Sequence, residues 1–354
     1  MDAPLTAHLA HRATAADGAA DTGAATAASR AVVLARRADT TVVRGGSVVA
    51  KAHAPDTDPA RLAARLRVAA HPLLRPVLLA PLPAPRPVAP NRVPEPEGTL
   101  LETLPDGRLV TLWPYGVPVD PGAPEAAPWE EAGALLARLH AVPVAELPGP
   151  IPPARGPAKA ARALESMRRA VRRTAASRAV EAAWASLPAR VRDAAPPRAD
   201  VLCHGDVHLG QLVRHPAPDG PWRLIDVDDL GLGDPAWDLA RPAAWFAGGL
   251  LPPADFGRFL NAYGAAGGTA LPGGAEDPWP WLDVPARALT AQMAARALTK
   301  AGAEGRPLDE VEQALIDACA RIAGTARDRG PASDATIDAP GTHPERAPRA
   351  SRRT

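Results

Sequence analysis

Asp206, Gln211 and Asp226 are the residues of this chain whose types and spacing could do chemistry together. Asp206 closes His204-Gly205-Asp206 after the apolar lead-in Val201-Leu202. Gln211 follows five residues later, and Asp226 ends a second apolar run, Trp222–Ile225. A carboxylate can accept the proton of an attacking hydroxyl. An amide oxygen further along the same loop and a carboxylate at the end of the next strand can share a magnesium ion, which takes hard oxygen ligands. Phosphoryl transfer from ATP asks for this set of parts, because its catalysis is mostly positioning and charge stabilisation. Asp228 is either a second metal ligand or a loop former. Asp229 and Asp234 read as structural. Asp238, at the start of a helical stretch, caps or braces the catalytic loop. His208 reads as structural or substrate-adjacent rather than as a metal ligand.

The elements that must position these groups divide the chain once. Residues 31–53 read as strands: Ala31–Ala35 is a short apolar run, and Thr40–Val43 and Ser47–Lys51 flank Gly45-Gly46, a hairpin signal. A helix is predicted over 58–70, capped by Asp58 with Pro59 in its first turn. Further strands are expected at Leu73–Leu79, Gly98–Thr103 and Arg108–Trp113, with Asp106-Gly107 as another turn. From Trp129 onward the pattern is helical, over 129–142, 159–186, 236–247, 253–265, 285–302 and 308–327. The class is therefore α+β. The expected organisation is a disordered extension at 1–28, a small β-rich N-lobe at 29–114 and a Pro/Gly-loaded hinge and linker at 115–128. A larger, mainly helical C-lobe at 129–328 and a disordered tail at 329–354 follow.

The stretch from Val201 to Ala240 carries a resemblance. His204-Gly205-Asp206 with Gln211 keeps the Asp-to-amide spacing of the protein-kinase pattern H-R-D-x-x-x-x-N, with Gln for Asn. Ile225-Asp226-Val227-Asp228 and Gly233-Asp234-Pro235-Ala236-Trp237-Asp238-Leu239-Ala240 complete a signature similar to that of the aminoglycoside phosphotransferase and choline kinase superfamily. The resemblance covers roughly residues 31–327. It implies a protein-kinase-like bilobal fold, ATP and Mg2+ as cofactors, Asp206 as catalytic base, and Gln211 and Asp226 as magnesium ligands. It also implies that His204 supports the loop through a backbone hydrogen bond. ATP binding would use a lysine on the third strand, and Lys51 sits there, the first lysine of the chain. Trp113-Pro114-Tyr115-Gly116 would be the hinge, with Trp113 and Tyr115 offering backbone groups to the adenine. Two features depart from the kinase pattern. Arg36–Asp39 stands where a glycine-rich loop would lie. The helix after Lys51 has no Glu to orient it, offering Arg61, Arg65 and Arg67 and only Asp58 as an acid.

A formal net charge of +1 argues against bulk attraction to nucleic acid or an anionic membrane. No run of about 18 apolar residues suggests a membrane span. Cys203 and Cys319 are too few and too distant for a disulfide framework or zinc spacing, so a cytoplasmic location is expected. The resemblance implies a small-molecule hydroxyl acceptor as the partner. A cationic aminoglycoside would need convergent carboxylates, for which Asp255, Glu276, Asp277, Asp283, Asp309, Glu310 and Glu312 are the candidates. The aromatics Trp237, Trp245, Phe246, Trp279 and Trp281 stack on a sugar or fill the core. Two other readings stand beside the phosphotransferase. One is a decayed kinase that binds nucleotide without turnover, suggested by the absent Glu. The other is a metal-dependent hydrolase built on His204-x-Asp206-x-His208.

Overall fold

The computed structural model describes residues 3–20, 31–37, 40–85, 99–196, 200–272 and 276–329. Helix α1 (Ala3–Ala20) precedes strands β1 (Val32–Arg36), β2 (Thr41–Gly45) and β3 (Val48–Ala52). Helix α2 (Pro59–Ala69), β4 (Glu102–Thr103) and β5 (Leu109–Pro114) follow. The strands form one antiparallel sheet in the order β1-β2-β3-β5-β4. Side chains alternate across a strand, so β3 splits its residues. Val48, Ala50 and Ala52 are buried on the outer face, while Lys51 faces the cleft. Asp58 caps α2 as expected, accepting from the N–H groups of Ala60 and Arg61 at 2.9 and 3.0 Å.

Helix α1 corrects the expected extension at 1–28. Leu5, Leu9 and Ala13, spaced four apart, are buried against Val43, Val48, Ala50, Val110 and Leu112. The segment is poor in bulky residues, but the outer face of the sheet supplies the apolar partner that makes its ordering favourable. Asp17 then accepts from the backbone N–H and hydroxyl of Ser47 at 2.8 and 2.5 Å, which ties α1 to the β2–β3 turn. Gly46, with φ +62, is needed there, since a Cβ would sit 1.9 Å from the Asp17 carboxylate. Residues 21–28 of the expected extension, and the tail from 330 onward, lie outside the described residues.

Leu73–Leu79 is not a strand. Pro72–Leu74 makes a 3-10 turn, and one parallel bridge, Leu78 to Leu224, follows. Pro72 and Pro76 remove the donors a ladder would need. Strand β4 keeps only Glu102–Thr103 of the expected Gly98–Thr103.

The rest of the chain is mostly helical, with α3 (Trp129–His140), α4 (Gly156–Ala170), α5 (Ala175–Ala185) and α6 (Ala189–Arg192) before the segment that carries Asp206 and Asp226. Helices α7 (Ala236–Gly248), α8 (Pro253–Ala265), α9 (Trp279–Glu304) and α10 (Glu310–Arg329) come after it. The expected helix at 159–186 divides, because Thr174 and Ser177 form a capping box that starts α5 afresh. Between α6 and α7 lie β7 (Val201–Cys203), β8 (Leu212–Arg214), β9 (Trp222–Leu224) and β10 (Gly231–Gly233). Strand β10 pairs with β7, and β8 lies between β9 and β6 (Val117–Pro118), a short strand of the linker. One core joins the lobes: Leu62 and Leu66 of α2 share it with Leu136, Leu202, Leu224, Leu230 and Leu239. Among the described residues, no helix is long and apolar enough to cross a membrane.

Candidate active site

Strand β7 delivers His204-Gly205-Asp206 to the cleft. Gly205 adopts φ +84, and a Cβ there would meet the Asp229 carbonyl oxygen at 2.6 Å, so the turn requires glycine. Asp238, 1% exposed, fixes this turn from the first turn of α7. Its carboxylate accepts the N–H groups of His204 and Gly205 at 2.6 and 2.7 Å and lies 3.1 Å from His140 Nε2. Tyr263 accepts from the Ala270 N–H and bonds His140 Nδ1 at 2.9 Å, which places the imidazole proton on Nε2, donating to Asp238. Burial alone would raise the Asp238 carboxyl, but these donors hold it below its ordinary value. The His204 ring donates from Nε2 to the Ile225 carbonyl at 2.8 Å, linking the two loops that carry Asp206 and Asp226. No spacing in the sequence marks His140, whose ring joins Tyr263 to Asp238 in this chain.

Asp226 stands at φ +67, in the left-handed region that costs a non-glycine residue strain. Its two oxygens lie 2.7 Å from Lys51 Nζ and 3.3 Å from Gln211 Nε2. Asp228 reaches Lys51 at 2.9 Å and the buried His53 at 3.3 Å. Burial would lower the Lys51 ammonium, yet the two carboxylates raise it above its ordinary value. Asp228 moves the other way: burial would raise it, but Lys51 and His53 hold it well below the usual range. The missing helix Glu is thus replaced by aspartates of the other lobe. Arg65 of α2 turns away from Lys51 and donates from Nε to the Leu230 carbonyl at 2.8 Å.

Asp206 meets two cations that sequence reasoning missed. Arg241 of α7 bonds one oxygen, and Lys159 of α4 lies 3.2 Å from the other. Burial would raise the Asp206 carboxyl, and Lys159 and Arg241 more than reverse this. Lys159 also bonds Asp229 at 2.5 Å, and Arg155 lies 3.1 Å from the same carboxylate. One signal could have found Lys159. Only three of the 40 Lys and Arg residues are lysines, and two of the three sit in this cleft.

The hinge differs from expectation. Antiparallel pairing of β3 and β5 carries past the end of the strand, so the Tyr115 N–H donates to Ser47 O at 2.7 Å and its carbonyl bonds His215 Nδ1 at 3.0 Å. Trp113 sits opposite Val49 in the same ladder, and its indole N–H is spent on Thr111. The Tyr115 N–H is therefore not free for an adenine edge.

Gln211, Asp226 and Asp228 offer an amide and two carboxylates, a hard oxygen set that fits magnesium. A different group, His140, Cys203 and Asp238, also lies close enough to hold a metal ion. It does not fit one. Both Asp238 oxygens are taken by N–H donors, and burial raises the Cys203 thiol, which must ionise to bind metal.

A small sheet lobe presenting a buried lysine to the aspartates of a helical lobe is a kinase-like bilobal fold. Solved structures share it. A choline/ethanolamine kinase family protein from Mesorhizobium loti is 18% identical, with 87% of this chain and 89% of that one covered at a TM-score of 0.50. A thermostable mutant of aminoglycoside phosphotransferase APH(4)-Ia is 13% identical, with coverage of 84% and 95% and a TM-score of 0.55. Spectinomycin phosphotransferase APH(9)-Ia, in complex with ADP and spectinomycin, is 14% identical, with 84% and 93% covered at 0.50. The model of the phosphotransferase enzyme family matches residues 33–282, and the chain belongs to that family. No curated protein sequence matches it.

Proposed function

We propose that the protein transfers the γ-phosphoryl group of ATP to a hydroxyl of a small molecule, with Asp206 as the base. The observation that carries this reading is the meeting of Lys51, Gln211 and Asp226, from three distant segments, beside a loop that Asp238 and His204 hold rigid. The acceptor oxygen forms a bond to Pγ as the bond from Pγ to the bridging oxygen breaks. ADP leaves with that electron pair, and the acceptor proton passes to Asp206 and then to solvent. Lys51 binds the nucleotide phosphates. Asp226 and Gln211, with Asp228 beside them, would hold Mg2+, whose charge offsets that of the phosphates. ATP use and two buried, unpaired cysteines suit a cytoplasmic location.

The arrangement disfavours both other readings. Lys51 has two carboxylate partners, so the absent Glu does not leave it unanchored. His204 is fully buried with Nε2 on a carbonyl, which suits a loop brace and not a hydrolytic metal site.

The test is transfer from Mg·ATP to a panel of hydroxylated compounds. Asp206→Asn is expected to lower kcat by about a hundred- to ten-thousand-fold while AMP-PNP affinity stays nearly unchanged. Near-normal turnover in that variant overturns the assignment. Asp226→Ala is expected to remove magnesium-dependent nucleotide binding, and unchanged Mg·AMP-PNP affinity would place the metal elsewhere.

A further inference from the structure

A recess bordered by Asp206, but by none of Lys51, Gln211, Asp226 or Asp228, has its own charge pattern. Gly156, Lys159, Trp237, Arg241 and Gln292 line it. The side chains of Lys159 and Arg241 are only 11% and 15% exposed, and both are directed at Asp206. Behind them Asp229 is shared by Lys159 and Arg155. The two shielded cations, Lys159 and Arg241, thus share the Asp206 and Asp229 carboxylates, and the half-exposed Arg155 beside them leaves the rim of the recess net positive. Two buried polar atoms of its lining find no hydrogen-bond partner among the described residues: Arg241 Nε, a donor, and Gln292 Oε1, an acceptor on a residue 2% exposed. Gly156 begins α4, so the positive end of that helix also borders the recess. A Cβ at Gly156 would lie 2.8 Å from the Trp237 ring, so glycine lets the helix start close against the indole.

We propose that the mouth of this recess binds the acceptor, a hydroxylated carboxylic acid whose carboxylate takes the space that the Asp206 side chain now fills, since the free volume beyond it is only about 10 Å³. Its carboxylate pairs with Arg241 and Lys159, a hydroxyl or N–H donates to Gln292 Oε1, and the reacting hydroxyl meets Asp206. This rests on the phosphotransfer reading for the role of that hydroxyl. A polycationic acceptor is disfavoured by the same charges. Five of the seven candidate carboxylates are spent locally: Asp255 pairs with Arg258 at 3.1 Å, Asp283 with Arg287 at 2.9 Å and Glu312 with Arg306 at 2.6 Å, while Asp277 and Asp309 cap helix starts. In the free protein Asp206 itself occupies the anion position. The acceptor carboxylate replaces it there and leaves an Asp206 oxygen open to the hydroxyl.

Binding measured without nucleotide tests this independently of transfer. D-Gluconate, D-glucose and D-glucosamine, and glycerate with glycerol, are titrated at fixed ionic strength. Each acid is expected to bind on the order of tenfold more tightly than its uncharged or cationic counterpart, as a charge-assisted pair implies. Asp206→Asn should strengthen acid binding several-fold by removing the internal competitor, and Arg241→Gln, checked for an unchanged melting temperature, should erase the preference. Equal binding of acid and alcohol, preference for the amine, or no acid binding overturns the proposal. A terminal phosphate is the other anion these cations could serve. Acid binding that persists with saturating Mg·AMP-PNP supports the acceptor site. Displacement of the acids by AMP-PNP, with weaker AMP-PNP binding in Arg241→Gln, assigns the cations to the nucleotide and overturns it. Acid preference without phosphoryl transfer would fault the phosphotransfer reading alone.

Discussion

Replacing Asp238 by Ala tests whether the loop carrying Asp206 is held from α7. The carboxylate is buried and serves three donors: the His204 and Gly205 N–H groups at 2.6 and 2.7 Å and His140 Nε2 at 3.1 Å. Alanine leaves all three without a partner, and a buried unsatisfied donor costs about 1–3 kcal/mol. Removing the anion also relieves its own desolvation, so the net loss should be about 4 kcal/mol, the usual scale for breaking a buried charged contact. With a urea dependence of about 3 kcal/mol per molar, the midpoint should fall by about 1.3 M. Asp238→Asn keeps one acceptor but turns an NH2 toward a donor, and should lose about half as much. Transfer should fall in both, because Asp206 moves with the turn. The acid limb carries a sign. The folded carboxyl lies below its ordinary 3.8, so its stabilisation is present above that pH and is lost as pH falls through the folded value. Asp238→Ala should therefore flatten the acid limb. A midpoint within 0.3 M of the parent, with unchanged turnover, would refute the bracing argument (a shift of about 1 kcal/mol by the same slope).

Leu9→Ala should cost about 3 kcal/mol, since Leu9 is fully buried under the sheet; a change below about 0.5 kcal/mol would mean that α1 does not cover it. Gly205→Ala should leave a folded protein whose transfer rate is lower by about a hundredfold, because the methyl displaces the loop from the Asp229 carbonyl; equal rates would remove the steric argument. His208 titrates at about 4, lowered first by burial and then by Arg241. The unfolded chain takes up this proton first, so stability should fall between about pH 6.5 and 4, by up to about 3 kcal/mol. His208→Gln should lessen that slope, and an unchanged slope would refute the burial argument.

Short-range pattern made part of the site legible. Asp206, Gln211 and Asp226 fall within one strand-loop-strand unit, where spacing alone sets their proximity. Lys51 was marked by the Gly45-Gly46 hairpin before it. Arg241 and Lys159 were not legible, because they reach Asp206 only when α4 and α7 pack beside the loop, and no local spacing records that. The stripe Leu5, Leu9, Ala13 is too short to identify a helix without its partner, the outer face of β2, β3 and β5. The Tyr115 N–H was not legible as taken, because Ser47, just past the Gly45-Gly46 turn, extends the β3–β5 pairing beyond the strand and accepts it.

The bridge from Lys51 to Asp226 and Asp228 crosses between lobes, and on the proposed reading it would make nucleotide uptake an exchange of counter-ions. The lysine and the two carboxylates neutralise one another across the cleft. A free divalent ion entering alone would meet a lysine 2.7 Å from its carboxylate, at strong Coulombic cost. On the proposed reading, metal and nucleotide would enter together, each releasing the partner of the other, and the bridge they replace is one that salt weakens.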